Sequence, residues 1–281
     1  FDMQDAVVLV DLYHAPDDSG DSEDSDDSED SDDSGDSDDS EDSDGSGGDA
    51  DDATPPSPDT ETLDVSVSVP NVCPVGDLPS FPFVDLDGDR TYDEGTDRRV
   101  GGDDLDALRD GRFDGDGTLV VPADFGTIEG REVDLKADGI VLGVDVRATL
   151  KGVEIDAGEG GLCVAGTTVE STKDGKDVDL SADGPMSLTG ATIRGESDVT
   201  LSADALAVDG ATVESTKDGR PVTVDVAGDL SARNARFKGE GEVLVTAGTA
   251  VLDGARLSSP KDSHDVRVKT TVGGLRAVGT T

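Results

Sequence analysis

Tryptophan is absent from this sequence, and Tyr 2 and Phe 6 are the whole aromatic content of 281 residues. A core of ordinary globular type leans on more aromatic volume, so aliphatic side chains must fill this one. Positive charge is equally scarce, with Lys+Arg 22 against Asp+Glu 66, a net charge of -44, and no base before Arg90. Residues 1–89 carry 30 acids and therefore -30, and the rest carries 36 acids against 22 bases, a net of -14. Without a basic stripe, nucleic acid is excluded as a primary partner and an anionic membrane surface is disfavoured. The longest apolar patch, Val7 to Val10, is far too short to span a bilayer, so no membrane span is expected. His14 and His264 fall in a tail and a loop, and no Ser/His/Asp or Cys/His constellation is present.

What is present is skewed. Asp outnumbers Glu by 52 to 14, and Arg outnumbers Lys by 14 to 8. Asp-rich, Lys-poor surfaces are similar to those of proteins from salt-loving microbes, where high ionic strength screens self-repulsion. Cys73 and Cys163 make an even count, which permits one disulfide or two separate buried thiols. The chain starts at Phe1, as in a protein whose export signal has been removed or in a fragment. The expected location is secreted, extracellular or at the cell surface.

Composition divides the chain into residues 1–16, 17–60, 61–118 and 119–281. Within the first part, Val7 to Tyr13 reads as a strand closed by Pro16. The second is a Ser/Asp/Glu tract with nothing to offset the entropy of ordering, and it reads as a disordered acidic linker. In the third, Val65, Val67 and Val69 alternate with Ser in the manner of a half-buried strand, and residues 103–110 read as a short helical turn stopped by Gly111. This third part is expected to cap the fourth.

From about Leu119 the sequence repeats. Residues 162–175 recur as 206–219, an offset of 44, and the triplets Val178/Leu180, Val199/Leu201, Val222/Val224, Val243/Val245 and Val266/Val268 are spaced 21, 23, 21 and 23 residues apart. A unit of that length, with short alternating strands and Gly or Asp turns, predicts one coil of a parallel β-solenoid, about six or seven coils in all. No helical period runs long enough for a helical repeat, and a β-sandwich does not accommodate near-identical loops at fixed period. Longer loops at 171–177, 215–221 and 259–265 should line one edge, with Lys173, Lys217 and Lys261 in a row beside Asp174, Asp218 and Asp262. A salt-bridged, solvated edge is the simplest reading of that row.

Residues 198–213 (DVTLSADALAVDGATV) resemble coils of right-handed β-helix surface proteins, filamentous-haemagglutinin-type adhesins among them. They also resemble bactofilins, which polymerise by stacking solenoid ends. The likeness spans about residues 119–275. It implies a right-handed, all-β solenoid and a structural or adhesive role, and it carries over no functional residues.

Candidate sites are few. Asp85, Asp87, Asp89 and Asp93 place carboxylates at alternate positions of a Gly-containing loop, the hard-oxygen pattern calcium prefers, although Gly88 and Thr96 depart from the EF-hand order. A pectate-lyase-like enzyme is disfavoured, because Phe237 is the one aromatic beyond Phe125. The expected function is therefore non-enzymatic. Ala6, Val7, Val8, Leu9, Val10, Leu12 and Tyr13 form an apolar strand on a long tether, suited to adding to the open C-terminal coil of another copy in a head-to-tail filament. The alternatives are docking of that strand on its own chain, and a monomeric stalk recognising a glycan or cell through the protruding loops.

Overall fold

Alternating aliphatic triplets stack coil upon coil along one wall of a parallel β-solenoid of about seven coils. The computed structural model describes residues 65–73, 78–260 and 264–281, together with the backbone of residues 8–11.

Each coil has three walls. The first halves of the long strands Arg112–Val121, Val133–Leu142 and Val153–Val164 begin the first wall, and Val178–Ala182, Val199–Ala203, Val222–Val226, Val243–Ala247 and Val266–Thr270 continue it. The second halves open the second wall, which runs on through Pro185–Ser187, Ala205–Ala207, Asp229–Ser231, Thr249–Val251 and Leu275–Arg276. A 7-stranded sheet from Ile128–Gly130 to Arg256–Ser258 makes the third.

Period-two alternation turns every second side chain inward, and parallel register then puts like on like. Leu135, Ile155, Leu180, Leu201, Val224, Val245 and Val268 form one such column, none of them more than 1% exposed. On the third wall the column is Ile128, Val146, Val169, Ile193, Val213, Phe237 and Leu257. Phe237 is the aromatic intruder, and its coil carries Ala232 where neighbouring coils carry Val208 and Leu252, which keeps the packed volume nearly constant. The corner between second and third walls takes a left-handed residue in the coils from Gly166 (φ 66°) onward. Gly190 (φ 68°), Gly210 (φ 69°) and Gly254 (φ 68°) supply it, and Asn234 (φ 55°) does so in the Phe237 coil, Asn being a side chain that tolerates this region.

The parallel ladder starts at Arg112, earlier than the repeats alone reveal, because the first coils vary at the positions that make later ones recognisable. Ahead of it the helix Asp103–Arg109, acidic in its first turn and stopped before Gly111 (φ 83°), buries Leu108 against the first coil. The strand Phe83–Asp85 pairs antiparallel with Thr118, Leu119 and Val120.

Residues 65–70 are not a strand, contrary to their alternation. They form an extended strap that crosses the coils, so no ladder is open to it. Its anchors descend the rod. Val65 packs on Gly274, where an added Cβ would lie 2.7 Å from its Cγ2. The Ser68 N–H donates to Asp229 Oδ2 at 2.9 Å, and Cys73 is disulfide-bonded to Cys163. Five coil steps of about 4.8 Å separate Gly274 from Cys163, and eight extended residues span about 26 Å, so the strap is nearly taut. Beneath its disulfide end lies a second small core on the outside of the solenoid: Val72, Phe83, Val120, Val141 and Cys163, flanked by Phe81 and Tyr92. Tyr92 meets both phenylalanine rings edge-on, with centroids at 4.9 and 5.5 Å. Three of the six described aromatics, Phe81, Phe83 and Tyr92, thus cluster where the strap and cap are fastened, and Phe113, Phe125 and Phe237 lie on the coil core.

Candidate functional site

The C-terminal coil is where the strand sought in the sequence is found. Val8–Asp11 lies antiparallel along Val266–Thr270, with Val8 opposite Thr270, Leu9 opposite Lys269, Val10 opposite Val268 and Asp11 opposite Arg267. The pairing is made within the chain. Ala6, Val7, Leu12 and Tyr13, expected to belong to the same strand, lie outside the described residues. In the receiving strand Val268 and Thr270 are buried, and Arg267 and Lys269 point to solvent. The other walls of this coil close on the preceding one: Leu275–Arg276 pairs with Ala250 and Val251, and Thr281 exchanges backbone hydrogen bonds with Ala255 and Leu257. Val272 and Val278, at its turns, are 86% and 62% exposed, among the few large apolar side chains that face solvent.

At the opposite end the Asp85 loop assembles three of its four expected carboxylates. Oxygens of Asp85, Asp87 and Asp89 lie within 4.8 Å of one another. Asp93 is not in this group: a turn closed by Thr96 N–H and Asp97 N–H on the Asp93 carbonyl draws it toward Asp97, whose Oδ2 accepts its N–H at 2.7 Å. Asp85 is buried and accepts three backbone N–H groups, from Asp87 and Gly88 on Oδ1 and Arg90 on Oδ2. Asp87 is held above the ordinary carboxyl range. The Asp89 N–H pulls it down, and desolvation, the Asp89 charge, the Asp85 side chain and Asp97 together outweigh that pull. Asp97 is an acid of this loop that sequence spacing does not reveal. It stands four residues beyond Asp93, and only the turn brings it to the loop.

The rest of the rod is a charge lattice. Down the third wall the outward column reads Glu129, Arg147, Glu170, Arg194, Glu214, Lys238, each residue in register with the next and opposite in sign. Arg147 meets Glu170 at 3.1 Å and Lys238 meets Glu214 at 2.9 Å. Hydrogen bonds that the Lys238 ammonium donates to Glu214 and Glu240 hold its pKa above the usual value. This alternation runs in step with the 44-residue repeat, since sign and the longer loops both recur every second coil. The longer loops interlock similarly: Lys217 reaches Asp174 at 2.8 Å and depresses its pKa. Their predicted row is thus tied together by its own charges, and Lys261 and Asp262 lie outside the described residues.

A recess of about 250 Å³ sits at the corner of the third and first walls, lined by Glu132, Asp134, Lys151, Glu154, Lys176 and Asp179 among others. Burial pushes the Asp179 carboxyl up, aided by the charges of Asp177, Glu154 and Asp198 and opposed by Thr200. Lys151 is paired with Glu132 at 2.8 Å and Lys136 with Glu154 at 3.0 Å. No helix among the described residues is long and apolar enough to cross a membrane. Comparison with known proteins yields no matching family model, curated protein or solved structure.

Proposed function

We propose that this chain is a non-enzymatic structural protein of the cell exterior, a β-solenoid rod that joins copies of itself through its N-terminal strand. The observation that carries the proposal is the register of Val8–Asp11 on Val266–Thr270. It supports a specific fit between one end of the sequence and one edge of the rod, and an edge strand that accepts a partner from its own chain accepts the same segment from a neighbour. The disulfide supports an oxidising compartment, and the acidic surface supports a salty one. Deleting residues 1–16 tests the reading. Light scattering and electron microscopy in molar salt should show loss of ordered assembly with the solenoid's circular dichroism intact. Undiminished assembly would refute it.

We also propose calcium as the ion for the Asp85 loop, supported by the crowding of hard oxygens around a raised Asp87. Calorimetric titration should show binding that Asp87→Asn weakens; no heat and no thermal stabilisation by calcium removes this reading. A glycan-binding stalk is less well supported, because the loops proposed to carry recognition pair Lys217 with Asp174 instead of presenting it.

A further inference from the structure

We infer that strand exchange between copies is reciprocal and closes a two-fold pair joined C-terminal coil to C-terminal coil, rather than an open head-to-tail filament. The inference rests on the strand-donation reading above and concerns its geometry. A head-to-tail filament is favoured where the donated strand issues from the N-terminal end of the rod. The strap removes that condition. Chain leaves the last coil at Asp11, opposite Arg267, and re-enters it at Val65, on Gly274. The 53 residues between these points thus begin and end on the coil that receives the strand.

To serve a head-to-tail neighbour the tether would first have to run back along the whole rod, about seven steps of about 4.8 Å, before reaching another chain. To serve a neighbour whose last coil faces its own, it has no such distance to cover. Once one strand has crossed, the return exchange is intramolecular and sees a high effective concentration, so the pair closes instead of growing.

The surface of the last coil fits a second copy of itself. Residues 266–281 contain Arg267, Lys269 and Arg276 and no acidic residue, and Arg267 and Arg276 are paired with Asp265 and Asp253, so in a chain of net charge -44 this coil offers a weakly repelled approach to a second copy. The incoming segment carries Asp2, Asp5 and Asp11 and no Lys or Arg, the complementary sign. Val272 and Val278, 86% and 62% exposed, lie on the same coil and are covered when two last coils meet.

The test uses the full chain with Leu9→Cys and Lys269→Cys, two residues opposite in register and distant from the native disulfide in sequence. Protein is incubated in mild denaturant at rising concentration in molar salt, returned to native buffer, oxidised, and analysed by non-reducing electrophoresis and light scattering. Cross-linked monomer and dimer alone are expected, with the dimer share growing with concentration. A ladder of trimers and larger species overturns two-fold closure while leaving strand donation standing. Monomer alone at every concentration overturns exchange between chains. A folded chain that forms no Leu9–Lys269 cross-link of either kind removes the pairing itself, and with it the reading of function. Mixing chains that carry only Leu9→Cys with chains that carry only Lys269→Cys, each also oxidised alone to measure symmetric dimers, gives an independent readout, since the mixed Leu9–Lys269 dimer forms only by exchange.

Discussion

Replacing Arg194 by Glu would place three carboxylates in consecutive rungs of the third-wall column, Glu170, residue 194 and Glu214. At a rung spacing of about 4.8 Å and the dielectric of water, each neighbouring pair is worth about 0.9 kcal/mol. Turning two attractions into two repulsions therefore costs at most about 3.5 kcal/mol by that arithmetic. Arg194 is exposed, and exposed pairs deliver roughly a third of such values once side chains splay and ions screen them, so about 1–2 kcal/mol is expected at 0.1 M salt. Arg194→Gln removes the attractions without adding repulsion and should cost about half as much. Urea unfolding, followed by circular dichroism across 0.1–3 M salt (about 10 Å to under 3 Å of Debye length), is the assay. Wild type should itself stabilise with salt, since its net charge is -44, and the difference between wild type and Arg194→Glu should shrink toward zero by about 3 M. A difference independent of salt, or equal for Glu and Gln, would refute the alternating column as an electrostatic device.

Other parts of the rod give three further expected outcomes. Replacing Cys73 and Cys163 by Ser frees a loop of sequence separation 90, which chain-entropy arithmetic values at about 4.6 kcal/mol; a shift in urea midpoint equivalent to less than about 1 kcal/mol would mean the strap holds without its bond. Phe237→Ala empties a fully buried site in a coil already small at Ala232 and should cost about 3–5 kcal/mol, whereas a loss under about 1 kcal/mol would show that the coils collapse to fill it. Asp179 has a folded pKa raised by burial, so the stability it contributes is present below the ordinary carboxyl range and lost as pH rises through the raised value. Asp179→Asn should accordingly raise the melting temperature at pH 7 and not at pH 3, and a gain of equal size at both would point to a cause other than charge.

The coils were legible because each one repeats the same local instruction. Val178/Leu180 and Val199/Leu201 announce a period-two wall, and their constant spacing leaves stacking as the means of burying it. The short helix was legible from Asp103 to Gly111 for the same local reason. Val65, Val67 and Val69 misled, because alternation reports a two-sided environment and not a hydrogen-bonded ladder; the strap is half-buried at alternate residues while crossing the strands it covers. The carboxylate loop was readable as far as Asp85, Asp87 and Asp89, which are neighbours in sequence, and failed at Asp93 and Asp97, whose order is set by a turn. The alternating column is not legible in the sequence because its members lie 18 to 24 residues apart and only register aligns them.

By itself the sequence determined the solenoid, its three-walled coil and its aliphatic core, since hydrophobic period and repeat length are local properties that every coil states again. It determined as well that the few aromatics would not build that core. Tertiary structure alone decided where the ends go. The strap, the disulfide and the strand at residues 8–11 are single, long-range contacts, made once and without repetition, and no local pattern says that residues 8–11 and 65 meet the same last coil. Both contacts fall on the last coil because that is where the solenoid leaves a strand edge unpaired by any further coil.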